Sequence, residues 1–340
     1  MTGSSDRRVR GGRVRTSREE KRGRERRDRT RRTDEPARDA SAGEVSAGSL
    51  PTPDPGPFVE TPAVTAVRDR IDRWLSVDRP VHLVGPTGCG KTALALSVAQ
   101  ERDRPVAFVN GDADLGTSDL VGDHSGTERH SVRDKYVHNV QKSTDIVRQR
   151  WVDNPLTVAV REGATLVYNE FSRTKPIANN VLLSVFEEGV LELPGKTGSD
   201  RYVDVHPEFR AILTSNSTEY AGVHEPQDAL LDRLVGIHLD FYDAETERRI
   251  VAAHVDDVDA ETIAAVVDTV RRLREEVSVP VGTRAAIMAT EGFTAGTDRS
   301  ASTLAAVCVD VLASKVPTSD GLESLRTDVE RVVSNVEVPT

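Results

Sequence analysis

The chain has 340 residues, 37% of them hydrophobic, a formal net charge of −10 and two cysteines, Cys89 and Cys308. That length fits two domains, or one large domain with a tail, and two cysteines argue against a disulfide framework and for a reducing compartment. No apolar run approaches membrane-spanning length and the N-terminus lacks the apolar core of a secretory signal, so a cytoplasmic protein is expected.

Charge is divided unevenly. Residues 1–32 hold 14 Lys+Arg against 5 Asp+Glu, a net of +9, which leaves −19 for residues 33–340. Of the basic residues, 38 are Arg and 7 are Lys. An acidic, lysine-poor body suits a protein kept soluble in strong salt, although a GC-rich genome also favours Arg. Residues 1–56 contain almost no large apolar side chains and carry Pro51, Pro53 and Pro55 at their end, so a disordered basic tail is expected. Three readings of its Arg-rich part compete: a quiet solvated tail, a nucleic-acid arm, or an arm that docks on an acidic protein surface. No aromatic residues are interleaved for base stacking. Strong salt also screens simple charge attraction within about 3 Å at 1 M. Nucleic acid is therefore the least favoured partner.

From Phe58 the pattern becomes strand–helix alternation, which implies an α/β fold with a parallel sheet covered by helices on both faces. Residues 61–75 read as an entry helix and residues 81–84 as a buried strand. Next comes Gly85-Pro86-Thr87-Gly88-Cys89-Gly90-Lys91-Thr92, a full match to the phosphate-loop pattern G-x-x-x-x-G-K-[ST]. Its glycines let successive N–H groups turn toward phosphate oxygens. Lys91 can reach the β- and γ-phosphates, and the Thr92 hydroxyl can ligate Mg²⁺. Residues 93–99 read as the following helix, whose N-terminus favours an anion. These features imply ATP and Mg²⁺ as ligands.

Residues 104–110 read as a second strand, and residues 111–134 as a polar, Gly-rich connection. Residues 136–152 suggest a short strand and a helix. Residues 164–168 form an apolar strand that runs into Asn169-Glu170. A hydrophobic strand ending in two acids is the Walker B arrangement: the first acid orders the Mg²⁺ water shell and the second polarises the attacking water. Here the first position is Asn169, whose amide oxygen accepts a hydrogen bond from a metal-bound water but lacks the charge. Residues 179–188 read as a helix, residues 190–205 as a hairpin around Pro194-Gly195, and residues 210–214 as a strand. Asn216, at the tip of that strand, is placed to orient water against a γ-phosphate. Arg233, in Asp228-Ala229-Leu230-Leu231-Asp232-Arg233, could face a neighbouring subunit's nucleotide. Beyond Asp243 only helices are expected, over residues 245–255, 260–277, 283–291, 300–316 and 321–333, which marks a smaller all-α domain. Arg284 opens one of these helices.

The ordered series of phosphate loop, Walker B, sensor Asn, Asp-Arg finger and helical-domain Arg resembles the AAA+ ATPases, and more closely their MoxR-like branch. The stretches TSDLVGDHSG, YNEFSRTKPIANNVLLSVFEEGVLELPG, LTSNSTEYAGVHEPQDALLDRL and VGTRAAIM resemble the gas vesicle protein N family in a haloarchaeal form. The resemblance covers roughly residues 58–291. It implies a P-loop NTPase fold with a disordered tail over 1–56, an α/β nucleotide-binding domain over 57–242 and a helical lid over 243–340. It implies a cytoplasmic ATPase that works as a homo-oligomeric ring of six subunits, with other gas vesicle proteins as partners. By the same resemblance Glu170 activates water, Asn216 is a first sensor, Arg233 a trans finger and Arg284 a second sensor, while Arg173 lies near a subunit interface. The loops at 111–134 and 190–205 are candidates for client contact or plain connections.

Overall fold

The computed structural model describes residues 51–54, 56–133, 143–216, 224 and 226–336. Residues 1–50 of the basic tail expected over 1–56 lie outside them, as do residues 134–142.

Five short apolar segments form one sheet: β1 (Val81–Gly85), β2 (Val106–Asn110), β5 (Thr165–Asn169), β8 (Arg210–Asn216) and β9 (Val235–His238). Their order is β2-β5-β8-β1-β9, and every neighbouring pair is parallel. The strands are buried on both faces, which is why they read as nearly continuous apolar runs. Alternation along them divides the core in two. Leu166 and Tyr168 of β5, with Ala211 and Leu213 of β8, face one cluster. Val167 and Ile212 face the other.

Helices cover each face. α1 (Pro62–Leu75) and α2 (Lys91–Glu101) pack Val64, Ile71, Leu75, Leu94 and Val98 on the second cluster. α3 (Thr117–Val121), α4 (Pro155–Glu162) and α6 (Val181–Glu187) pack Leu120, Leu156 and Leu182 on the first. α1 starts where it does because the Thr61 side chain accepts from the Val64 N–H and Pro62 takes a first-turn position that needs no donor.

Two stretches differ from the sequence reading. Residues 117–133 are α3 followed by β3 (Gly122–Arg133), not an irregular polar connection. β3 pairs antiparallel with β4 (Ser143–Asp153), where a helix had been expected in part. Their few apolar residues gave no period-2 signal, because a two-stranded ribbon satisfies its backbone by pairing and needs little core. The root of this ribbon is clamped to the hairpin of β6 (Val190–Glu192) and β7 (Tyr202–Asp204). His124 Nε2 lies 2.8 Å from the Gly195 carbonyl, and the Lys196 ammonium sits 5.7 Å from the Trp151 ring centre. α4 and β9 were also not foreseen.

After Asp243 the described chain is helical: α8 (Ala244–His254), α9 (Ala260–Glu276), α10 (Thr283–Ala295), α11 (Ala301–Ala313) and α12 (Ser319–Val333). Asp243, Asp259, Ser300 and Thr318 cap four of these five with side-chain acceptors, so their starts were readable from local chemistry. They share their own core, which runs from Val251 to Val333 and includes Val266, Leu273, Phe293, Leu304 and Val329.

A titratable side chain is buried within the sheet. His82, in the middle of β1, is buried, with Nε2 2.7 Å from Ser215 Oγ and its ring edge-on to Phe171. Burial, helped by nearby His238, lowers its pKa from 6.5 to about 4. A group whose folded pKa is depressed contributes stability above its unfolded pKa, and that contribution is lost as pH falls toward the folded value. A shift of this size corresponds to about 3 kcal/mol. Urea unfolding between pH 7 and 4 should therefore cost the wild type about 3 kcal/mol more than His82→Gln; parallel pH profiles would show that His82 does not stay neutral in the fold.

Candidate functional site

The site forms where the carboxyl ends of β1, β5 and β8 come together. β8 lies between the strand that leads into the phosphate loop and the strand that ends in Asn169. In register, Asn216 is paired with Gly85 and Asn169 with Asn110 of β2. The order of the sheet thus brings Asn216 to the base of the loop.

The loop leaves β1 at Gly85 and enters α2 at Lys91. Gly88 and Gly90 have φ of 82° and 92°, the left-handed region that L side chains rarely adopt. Lys91 is buried, and its ammonium donates to the carbonyls of Gly85 (2.9 Å) and Pro86 (2.8 Å). Burial lowers its pKa, against the opposing pull of Cys89 and Glu170. Two neutral carbonyls position this cation without cancelling its charge, which suits it to an anionic ligand. Cys89 is buried beside it, and burial pushes its thiol pKa up.

Asn169 joins the loop to the neighbouring strands. Its Oδ1 accepts from Thr92 Oγ1 at 2.5 Å and from Thr214 Oγ1 at 2.9 Å, and its Nδ2 donates to Asn110 Oδ1 at 2.7 Å. The expected metal-side pair, Thr92 and Asn169, is therefore in direct contact. Oxygen donors are the right chemistry for Mg²⁺, but the pair brings no negative charge. Glu170 follows in a left-handed conformation at φ 50°, held by its N–H on Thr214 Oγ1. Such a backbone costs about 1–3 kcal/mol unless its surroundings impose it. Its carboxylate pairs with Arg173 at 2.8 Å.

Arg284 is exposed on the first turn of α10. That helix has no side-chain cap. Its first N–H, of Thr283, donates instead to the Gly88 carbonyl at 3.1 Å. The approach is so close that a Cβ on Gly282 would lie 2.6 Å from the Thr87 carbonyl oxygen. Arg233 belongs to a different cluster. It pairs with Glu187 of α6 and donates to the Ala229 carbonyl in α7 (Asp228–Leu231).

Sequence reasoning missed two parts of the site. The first is Glu247 of α8, fully buried. Its carboxylate accepts from Arg271 (2.5 Å), Arg274 (2.7 Å) and Thr283 Oγ1 (2.7 Å). Arg274 also stacks 3.7 Å over Phe241, and Arg271 holds the Tyr242 carbonyl. One buried acid thus ties the segment after β9 to α8, α9 and the start of α10. The second is a cavity of about 430 Å³ beside Gly88 and Gly90, lined by Phe58, Val59, Tyr242, Ile250, Ile287 and Met288. These residues come from four separate segments, and nothing local in the sequence showed that they meet.

Residues 80–234 match the AAA domain (dynein-related subfamily). The chain is 67% identical over 285 residues to the gas vesicle ATPase GvpN of Haloferax mediterranei, covering 84% of this chain and 82% of that protein. It is 66% identical over 283 residues to the gas vesicle ATPase GvpN2 of Halobacterium salinarum, covering 83% and 82%. The chain belongs to the gas vesicle ATPase GvpN family. The similarity extends to bacteria: the gas vesicle ATPase GvpN of Ancylobacter aquaticus is 46% identical over 224 residues, covering 66% of this chain and 62% of that protein. As a family member with an AAA domain, the chain carries the P-loop NTPase fold that its phosphate loop and parallel sheet display. No helix among the described residues is long and apolar enough to cross a membrane.

Glu247→Ala should lower unfolding stability by about 3–5 kcal/mol, because two arginines lose the buried partner that neutralises them. It should also weaken nucleotide binding, since Thr283 loses one of its two anchors. Urea titration and fluorescent-nucleotide titration measure the two effects; an unchanged urea midpoint would mean that the network adds nothing to the fold.

Proposed function

We propose that this chain is a Mg²⁺-dependent ATPase that acts as a ring-shaped homo-oligomer, of six subunits in our reading, in the cytoplasm during gas vesicle assembly. The observation that carries this is the convergence of Lys91, Thr92, Asn169, Glu170 and Asn216 at the ends of three adjacent strands. The names of the relatives supply the vesicle context.

In this reading residues 57–242 form the nucleotide-binding domain and residues 243–340 the lid. The loop N–H groups and Lys91 bind the β- and γ-phosphates. Thr92, with Asn169 beside it, would hold Mg²⁺, which when bound would supply neutralisation of phosphate charge. Glu170 orients the attacking water once its carboxylate leaves Arg173, and Asn216 fixes that water from the neighbouring strand. Arg284 reaches the phosphates from α10, and the contact of Thr283 with Gly88 gives the lid a direct sense of nucleotide state. Arg233 serves the neighbouring subunit. An arginine supplied in trans is worth roughly 10³–10⁵ in rate in comparable systems, so hydrolysis depends on assembly. The paired hairpins, joined through Trp151 and Gly195, are the surface we assign to clients.

Purified Glu170→Gln and Arg233→Ala proteins should each lose nearly all ATPase activity. Mixed, they should regain part of it, because some interfaces then pair an intact Glu170 with an intact Arg233. Neither variant alone should restore vesicles to cells lacking the chain. Mixed oligomers with no recovered activity would refute the trans arginine, and vesicles restored by Glu170→Gln would refute the need for hydrolysis.

A nucleotide-gated scaffold with little turnover is favoured by two features: the neutral amide at Asn169 and the pairing of Glu170 with Arg173. Asn169→Asp adds one negative charge beside the cation, so it should lower the Mg²⁺ concentration for half-maximal ATPase activity. Superimposable Mg²⁺ titrations of the two proteins would remove Asn169 from the metal's surroundings.

A further inference from the structure

The apolar cavity beside the phosphate loop has one wall formed by a single face of α10. Arg284, Ile287, Met288 and Glu291 all line it, at the i, i+3, i+4 and i+7 spacing of one helical stripe. Arg284 stands at the end where Thr283 meets Gly88. Seven residues of helix carry Glu291 about 10 Å further on. The cavity thus has a phosphate end and a far end, separated by about the length of a nucleoside.

His254, the last residue of α8, lines the same cavity. Its Nδ1 is 2.8 Å from the Ile250 carbonyl. A carbonyl oxygen can only accept, so Nδ1 carries the proton. In the neutral ring Nε2 is then an acceptor. Nε2 lies next to the segment that opens the cavity, 3.8 Å from where a Cβ on Gly56 would stand.

We propose that His254 is the residue that reads the nucleobase, its Nε2 accepting a hydrogen bond from the exocyclic 6-amino group of adenine stacked among the apolar side chains. The proposal rests on the reading of the loop as a nucleotide site. Adenine presents a donor at position 6, whereas guanine presents an oxygen there. A fixed acceptor in a largely apolar cavity favours the first and leaves its lone pair facing another in the second. The tautomer is set by the protein's own backbone, so the preference is built in before any ligand arrives. The apolar lining supplies affinity for any purine, and the single acceptor discriminates among purines.

The test compares ATP with purine riboside 5′-triphosphate, which has hydrogen in place of the 6-amino group, together with GTP. Equilibrium titrations are made on wild type, His254→Leu and His254→Ala, with thermal unfolding as a check on the fold. The wild type should bind ATP about five- to tenfold tighter than purine riboside triphosphate, the size of one neutral hydrogen bond in a site of low polarity. Both variants should bring that ratio to within about twofold, while affinity for purine riboside triphosphate itself changes little. The preference for ATP over GTP should shrink in parallel. Either variant keeping the wild-type ratio, or a wild type that does not distinguish the amine, overturns the assignment of His254. If the wild type binds none of the three nucleotides, the nucleotide-site reading itself fails.

Discussion

The contact between the phosphate loop and the first residues of α10 is the constraint around which the nucleotide site is arranged. It is a backbone contact, Thr283 N–H to the Gly88 carbonyl, and it is close enough that residues 88 and 282 must both be glycine. The uncapped start of α10 obtains its partner from the loop, and the loop in turn obtains a roof. Arg284 follows at the next position. Any change in the loop on binding phosphate is therefore felt at the first turn of a lid helix, with no intervening linker to absorb it.

Glu247 makes that contact mechanically useful. A carboxylate with two arginines and a threonine hydroxyl around it is costly to bury and costly to break. Because the arginines also grip Phe241 and the Tyr242 carbonyl, the segment leaving the sheet is fastened to the same point. The five helices after Asp243, which share one core, are thus tied to the sheet through one buried charged knot. The proposed client surface is built from the two hairpins. There Trp151 and His124 lock the long β3–β4 ribbon to the turn at Gly195, so two loops that look independent in the chain are one unit.

The sheet order determines what chemistry the site can do. Inserting β8 between β1 and β5 leaves room for Thr214 and Asn216 to approach from between the loop and Asn169. Thr214 serves both Asn169 and Glu170, fixing an amide and a carboxylate beside the phosphate loop. Asn169 has a neutral side chain whose oxygen is already shared by two hydroxyls, so it brings no charge to the mouth of the loop.

The sequence by itself determined the phosphate loop, the four core strands other than β9, and the lid helices. Each of these is written locally. Eight consecutive residues give the loop its curvature and its cation, strands buried on both faces read as apolar runs, and Asp243, Asp259, Ser300 and Thr318 cap their own helices. Tertiary structure alone decided the rest. The β3–β4 ribbon is too polar to show a strand period, and β9 is only four residues long. Glu247 looked like any surface acid in a helix until folding placed Arg271, Arg274 and Thr283 around it. The cavity beside Gly88 is assembled from segments near residues 58, 90, 250 and 288, and His254 acquires a fixed acceptor only there. Such features depend on which distant residues meet in a low-dielectric interior, and no single window of the chain records that meeting.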